Sequence, residues 1–262
     1  MNHNFPESEA YPVQICTLGR FKIAIDNNFV NIIGNSQDKP IAMLKAIIAL
    51  GVKDVAISKV SDALWPDIDG DKATSVFRVT VHRLRKLFGR RRGVIVTHNS
   101  HACLNSDDCW TDVLALQDVA NEFDRMIALP DVEQKIDVLC NKAFSLYNGD
   151  FLPGDQDHVW IAYQREHLKD MFVNLCCNAG TYYRGINKWD KAIDVYKKAI
   201  ETDNLRETCY RGMIDCCLKA NLNGEALCAY NKCKHVFNTM FDIDPSEETR
   251  SLIRTIKKNH KP

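Results

Sequence analysis

Between Val13 and Ile25 apolar and polar residues alternate, the period of a strand with one buried face, and after Asp26, Asn27 and Asn28 the run FVNII resumes it. A small antiparallel sheet is therefore expected to open the chain. The period then lengthens: Pro40 suits a first helical turn, Ile41, Leu44, Ile47 and Ile48 recur at helical spacing, and Gly51 supplies a stop. Ser58 is placed to cap a second, short helix bearing Val60, Leu64 and Trp65, which Pro66 ends. A third helix is predicted from Lys72 to about Phe88. At 100° per residue, Ala73, Phe77, Val81, Leu84 and Phe88 gather on one face with Thr80 beside them. The opposite face carries Ser75, Arg78, Val79, His82 and Lys86, flanked by Arg83 and Arg85. VIVTHNSHACLN then reads as a hairpin with a polar tip at His98 to His101.

Strands, three helices and a closing hairpin are the element order of a winged helix-turn-helix, whose third helix enters the major groove. From Asp112 onward the strand signal stops. Helical periodicity covers Val113–Phe123, Val132–Tyr147, Val159–Tyr183, Lys191–Ile200, Glu207–Ala220 and Glu225–Met240, with a last helix after Pro245. Ala192 and Tyr196 recur as Ala226 and Tyr230, the 34-residue period of a tetratricopeptide helix hairpin. The expected fold is an α+β winged helix-turn-helix followed by an all-α tetratricopeptide-like repeat domain. Its expected boundaries are a disordered N-terminus over 1–12, a DNA-binding domain over 13–106 and the repeat domain over 107–262.

Net charge is zero over 262 residues, but residues 1–106 hold 14 Lys+Arg against 9 Asp+Glu, and 107–262 hold 20 against 25. Two halves of opposite sign are expected to meet different partners. No apolar run approaches the ~18 residues needed to span a bilayer, since Ile41 to Leu50 is interrupted by Lys45. The N-terminus MNHNFPESEAYP lacks the basic start and apolar stretch of a signal peptide, which predicts a cytoplasmic protein without membrane attachment. The eleven cysteines contain no C-x-x-C pair, and the neighbours Cys176-Cys177 and Cys216-Cys217 diverge around a helix. In a reducing compartment they read as small buried residues, with no metal and no cofactor. Asp67, Asp69 and Asp71 alternate like calcium ligands, but no Glu closes a twelve-residue loop, so the segment reads as an acidic surface loop. Trp160, Tyr163, Tyr182, Tyr183, Tyr196 and Tyr230 are expected to pack helix against helix. No nucleophile, base or phosphate loop is spaced for catalysis, so no enzyme is expected.

The chemistry concentrates in the third helix. From Lys72 to Gly93 there are eight cations, Lys72, Arg78, Arg83, Arg85, Lys86, Arg90, Arg91 and Arg92, and no acid to pair with them at i,i+4. An anionic partner would relieve that repulsion, and double-stranded DNA is the partner expected. Arg78 can donate two bonds to guanine, Ser75 and His82 can bond base edges, and Val79 can touch a thymine methyl. Lys72, Arg83, Arg85, Lys86, Arg90, Arg91 and Arg92 are the phosphate candidates. Arg85 has a second possible use, as the partner of Asp62 or another acid of the same domain.

Two stretches resemble one family. TLGRF, ISKVSDALWPD and ATSVFRVTVHRLRKLFG resemble the DNA-binding domain shared by OmpR-type response regulators and SARP-type antibiotic regulatory proteins. LYNGDFLPG, VWIAYQREHL, GEALCAYNKC and DIDPSEET are similar to the bacterial transcriptional activation domain that follows it in SARP-type regulators. The resemblance covers about Val13 to Ile256. It implies a sequence-specific activator that binds promoter repeats as two or more self-associating protomers and recruits RNA polymerase. It also implies a recognition face over Ser75 to Lys86, and a polymerase-facing loop from Trp65 to Asp71 that includes Asp67, Asp69 and Asp71. Where the family wing has a Gly-Tyr pair, this chain has His101-Ala102-Cys103. The competing reading is an adaptor, in which the winged helix no longer reads DNA and the repeats bind a protein or peptide.

Overall fold

The structure is a computed structural model that describes residues 10–31, 38–155 and 158–259, the last five as backbone only. Residues 1–9 of the expected disordered N-terminus, and Ile32 and Ile33 of the FVNII run, lie outside the described residues. The chain divides into two compact units, Met1–Asp118 with Ser145–Leu168, and Val119–Phe144 with Lys169–Pro262.

In the first unit, β1 (Val13–Cys16) pairs antiparallel with β2 (Lys22–Ile25), which pairs with β3 (Asn28–Phe29). The two-residue turn between β2 and β3 is Asp26-Asn27, both at positive φ (48° and 64°), the backbone that matches the strand twist in a tight hairpin. Helices α1 (Asp38–Ala49), α2 (Ile57–Leu64) and α3 (Gly70–Leu87) follow. A second sheet has the order β4-β6-β5, from β4 (Val55–Ala56), β5 (Ile95–His98) and β6 (His101–Leu104), with Asn99 and Ser100 at positive φ in the wing turn. Met43, Leu44, Ile47 and Ile48 of α1, Val60 of α2 and Phe77, Val81 and Leu84 of α3 form the buried centre with Val13 and Ile15. One expectation is corrected. Helix α2 begins at Ile57 after Ala56 and has no side-chain cap, so Ser58 lies inside the first turn and its hydroxyl is not the cap.

Strand β7 (Cys109–Thr111) adds to the first sheet in parallel with β1, and delivers the chain into α4 (Asp112–Met126). Thr111 accepts a hydrogen bond from Leu114 N at 3.2 Å, satisfying one free amide of the new helix. Asp112 is almost wholly buried. Its carboxylate accepts Thr17 N at 2.5 Å, Leu18 N at 2.7 Å and Thr17 Oγ1 at 2.8 Å. Burial raises its pKa to about 6 even though those bonds oppose the shift. Further along, the chain returns to the same strand end: Leu18 bridges Phe151, Gly19 N donates to Asp150 O and Leu152 N donates to Thr17 O, both at 2.9 Å. The glycine of TLGRF and the first glycine of LYNGDFLPG meet here, Gly149 lying so near Gly19 that a Cβ on it would be 3.2 Å from the Gly19 Cα. Arg165 of α6 (Val159–Gly185) donates to the Phe151 and Leu152 carbonyls, and Lys45 pairs with Asp155 at 2.5 Å.

The second unit is all helical. It contains α5 (Glu133–Leu146) up to Phe144, α6 from Lys169, α7 (Trp189–Thr202), α8 (Glu207–Lys219), α9 (Asn223–Phe241) and α10 (Glu247–Asn259). The 34-residue repetition is a packing rule, because Ala192 and Ala226 are both fully buried. Tyr196 lies between Gly180 of α6 and Gly212 of α8, where a Cβ would approach its ring to 2.5 and 2.4 Å. Only glycine leaves room for that ring on both sides. Cysteines 109, 140, 176, 216, 217 and 233 are buried and free, as small packing residues should be. Cys177 and Cys209 depart from the expectation of eleven free thiols, since a disulfide joins them across α6 and α8. Tyr163 is a second departure, 73% exposed rather than packed.

Candidate nucleic-acid interface

Helix α3 separates its two faces cleanly. Ala73, Phe77, Thr80, Val81 and Leu84 are buried, Phe88 closes the same stripe, and Thr80 Oγ1 is satisfied by Val76 O at 2.8 Å. Burying that stripe forces Ser75, Arg78, Val79, His82, Arg83 and Lys86 outward, and all six are exposed. Val79, at 52% exposure, is a large apolar side chain held in solvent at the middle of the face. The placement of charge also suits the helix, with Asp71 in its first turn and Arg85 and Lys86 in its last.

The cations fall into two groups. Lys72, Arg78, Arg83, Lys86 and Arg92 are exposed and have no ion pair or side-chain hydrogen bond among the described residues. The other three are held by the protein. Arg85 donates from Nε and Nη2 to the Ile95 carbonyl at 3.0 and 2.9 Å, and from Nη2 to Thr97 Oγ1 at 3.1 Å. Its partner is thus the backbone of β5 and not Asp62, and the bonds tie the end of α3 to the wing. Arg90 and Arg91, in the short 3-10 turn Gly89–Val94, both bond Asp26. Nothing in the spacing of the sequence pointed to Asp26, which reaches them across 64 and 65 residues.

One open groove collects the polar groups around this face. Ser58 and Ser61 of α2, Arg78 and His82 of α3, and Thr97 and His101 of the wing all line it. The Ser61 hydroxyl is buried without a hydrogen-bond partner among the described residues. A neighbouring open surface is lined by Asp67, Asp69 and Asp71 together with Lys72 and Ser75, so the acidic loop lies at the N-terminal end of the same helix. All three aspartates are exposed. Among the described residues no cluster of three or more His, Cys, Asp or Glu is placed to hold a metal, and no helix is long and apolar enough to cross a membrane.

Comparison with known proteins now places this arrangement. Residues 111–257 match the model of the bacterial transcriptional activator domain, which covers more than half of the chain. No curated protein sequence matched significantly. Among solved structures, Mycobacterium tuberculosis EmbR in complex with a low-affinity phosphopeptide matches with a TM-score of 0.70 at 19% identity. The match covers 96% of this chain and 66% of that one, and at this identity it speaks for the fold alone. Winged helix and helical repeat therefore follow one another here as they do in that protein. The chain belongs to the bacterial transcriptional activator domain family.

Proposed function

We propose that the chain is a sequence-specific DNA-binding activator, with α3 as its reading helix. The observation that carries this reading is the exposed, acid-free face of α3, in which Ser75, Arg78 and His82 surround the apolar Val79 and Lys72, Arg83, Lys86 and Arg92 flank it without partners among the described residues. Arg78, Ser75 and His82 are assigned to base edges and Val79 to a thymine methyl. The four flanking cations are assigned to phosphates, Arg90 and Arg91 lie beyond them on the Asp26 carboxylate, and Arg85 positions the wing.

The test is a salt titration on a duplex selected by the protein from a randomised pool. Neutralising about four phosphates gives a slope of about −3.6 in log K against log salt. An Arg83→Ala/Lys86→Ala variant is expected to flatten that slope by about 1.8 while keeping the sequence preference. Arg78→Ala is expected to cost about 1 to 3 kcal/mol at one base position and to relax preference there. A slope near zero in the unaltered protein, or a preference untouched by Arg78→Ala, counts against α3 as the reading helix.

Activation is assigned to the loop bearing Asp67, Asp69 and Asp71, with a basic surface of RNA polymerase as its partner. Negative charge beside a DNA-binding helix weakens DNA affinity but complements a cationic protein surface. Asp67→Ala/Asp69→Ala is expected to lower promoter activation with the footprint intact. Equal loss of both places the loop on DNA instead. The repeat domain is assigned to self-association of protomers on adjacent half-sites, because stacked helix hairpins offer extended surfaces for protein contact.

A further inference from the structure

We propose that Asp26 restrains sequence-independent DNA binding by withholding Arg90 and Arg91 from phosphates. The inference rests on α3 and its C-terminal turn facing DNA. Its own support is the geometry of one carboxylate gripping two guanidinium groups. Oδ2 accepts Arg90 Nε at 3.1 Å and Nη2 at 2.8 Å, while Oδ1 accepts Arg91 Nε at 3.0 Å and Nη2 at 2.7 Å. Each oxygen therefore takes the Nε/Nη2 edge of one arginine, the edge that would otherwise meet the two oxygens of a phosphate.

The carboxylate is held in place from behind. Asp26 occupies the first position of the tight β2–β3 turn at φ 48°, its amide donates to Pro12 O at 2.8 Å, and its carbonyl accepts the Asn28 side-chain amide at 2.9 Å. Asp26 keeps 25% of its side-chain surface, whereas Arg90 keeps 78% and Arg91 38%. The arginines thus face solvent and the acid lies under them. Hydrogen bonds from Arg91 and Arg90 hold the Asp26 carboxyl below the usual carboxylate range, so it is ionised at neutral pH. From Lys72 to Gly93 the sequence contains no acid. Asp26, brought in from a distant hairpin, is the counter-charge that this segment lacks.

The consequence falls on non-specific affinity. Binding to arbitrary DNA comes almost entirely from neutralised phosphates, whereas base reading comes from the α3 face. A regulator must find its site among a vast excess of arbitrary sequence, so cations that add affinity everywhere dilute occupancy of the site. Holding two arginines on one carboxylate limits that contribution while leaving Arg78 and its neighbours free.

The experiment measures binding of the full chain to a random-sequence duplex between 50 and 200 mM salt. Asp26→Asn suits the positive φ, which Asn tolerates, and removes the charge. It is expected to bind this duplex more tightly than the unaltered protein, with a slope steeper by about 0.9 for each phosphate newly engaged. One such phosphate makes the gain shrink roughly threefold across that salt range. Asp26→Glu keeps the charge and is expected to show little gain. In an Arg90→Ala/Arg91→Ala background, Asp26→Asn is expected to change nothing, because no withheld cation remains. Unchanged or weaker binding by folded Asp26→Asn overturns the inference, as does a gain that persists without the two arginines. If the unaltered protein shows no salt-dependent DNA binding, the DNA reading itself fails, an outcome distinct from a variant that merely matches it.

Discussion

Gly19→Ala is expected to destabilise the chain by about 3 to 5 kcal/mol, an effect at the upper end for a single methyl group. Two costs act at one atom. Gly19 sits at φ +77°, where a side chain strains the backbone. The added Cβ would also lie 2.4 Å from the Asn148 carbonyl oxygen and 2.8 Å from its carbon. Both obstacles are backbone atoms and cannot rotate aside. Relief requires the segment from Asn148 to Leu152 to move off the end of β1, which breaks the Gly19 N to Asp150 O and Leu152 N to Thr17 O bonds. The Leu18–Phe151 bridge goes with them. For a chain of this size the loss corresponds to a fall in melting temperature of roughly 10 °C. Gly93→Ala is the control, since no heavy atom lies within 4 Å of its Cβ position. Equal melting temperatures for the two variants would show that the close approach at Gly19 carries no energy.

That contact also marks how far the sequence could be read. Both glycines stood in stretches singled out by resemblance, TLGRF and LYNGDFLPG, yet nothing in either stretch indicated that they touch. Their approach is a pairing between backbone segments about 130 residues apart, and hydrophobic period reports only which face of an element is buried. Helix α3 was legible for the same reason, because Ala73, Phe77, Val81, Leu84 and Phe88 recur at the helical period over about four turns, and their burial leaves Ser75, Arg78, Val79 and His82 outside. Strands β4 and β7, of two and three residues, are too short to show alternation and exist through their partners β6 and β1. The repeat was visible in Ala192 and Ala226, but its tyrosines are not equivalent. Tyr196 is closed in by Gly180 and Gly212, whereas Tyr230 stays part-exposed. Charge counting found the cations of the third helix and could not sort them. Which arginines are free depends on Asp26 and on the Ile95 carbonyl, and both partners come from other elements.

Asp112 gives the second large effect, and its sign depends on what replaces it. Asp112→Ala leaves the amides of Thr17 and Leu18 buried without an acceptor and frees the Thr17 hydroxyl, a loss expected at about 3 kcal/mol or more at pH 7. Asp112→Asn behaves differently. Both amides bond the same oxygen, Oδ2, which an asparagine carbonyl can replace, while its NH2 group faces Thr17 Oγ1, a hydroxyl able to accept. The asparagine also carries no charge into a site that disfavours one. Burial raises the Asp112 pKa from 3.8 to about 6, so the native protein binds this proton more tightly than the unfolded chain does. Stability therefore rises as pH falls from above 6 toward 4, and the ionised form carries a penalty of about 3 kcal/mol above that window. Glu133, Glu207 and Asp26 have lowered pKa values and act in the opposite sense, losing stability as pH falls below about 5, where the unfolded carboxylates begin to protonate. Between pH 7 and 5 the Asp112 contribution is thus separable from theirs. Denaturant unfolding at pH 7 and pH 5 is expected to show the unaltered protein gaining stability at the lower pH and Asp112→Asn staying level. At pH 7, Asp112→Asn is expected to match or exceed the unaltered protein, with Asp112→Ala far below both. An Asp112→Asn variant as unstable as Asp112→Ala would mean that the site needs the negative charge itself, at the head of α4, rather than an acceptor for the two amides.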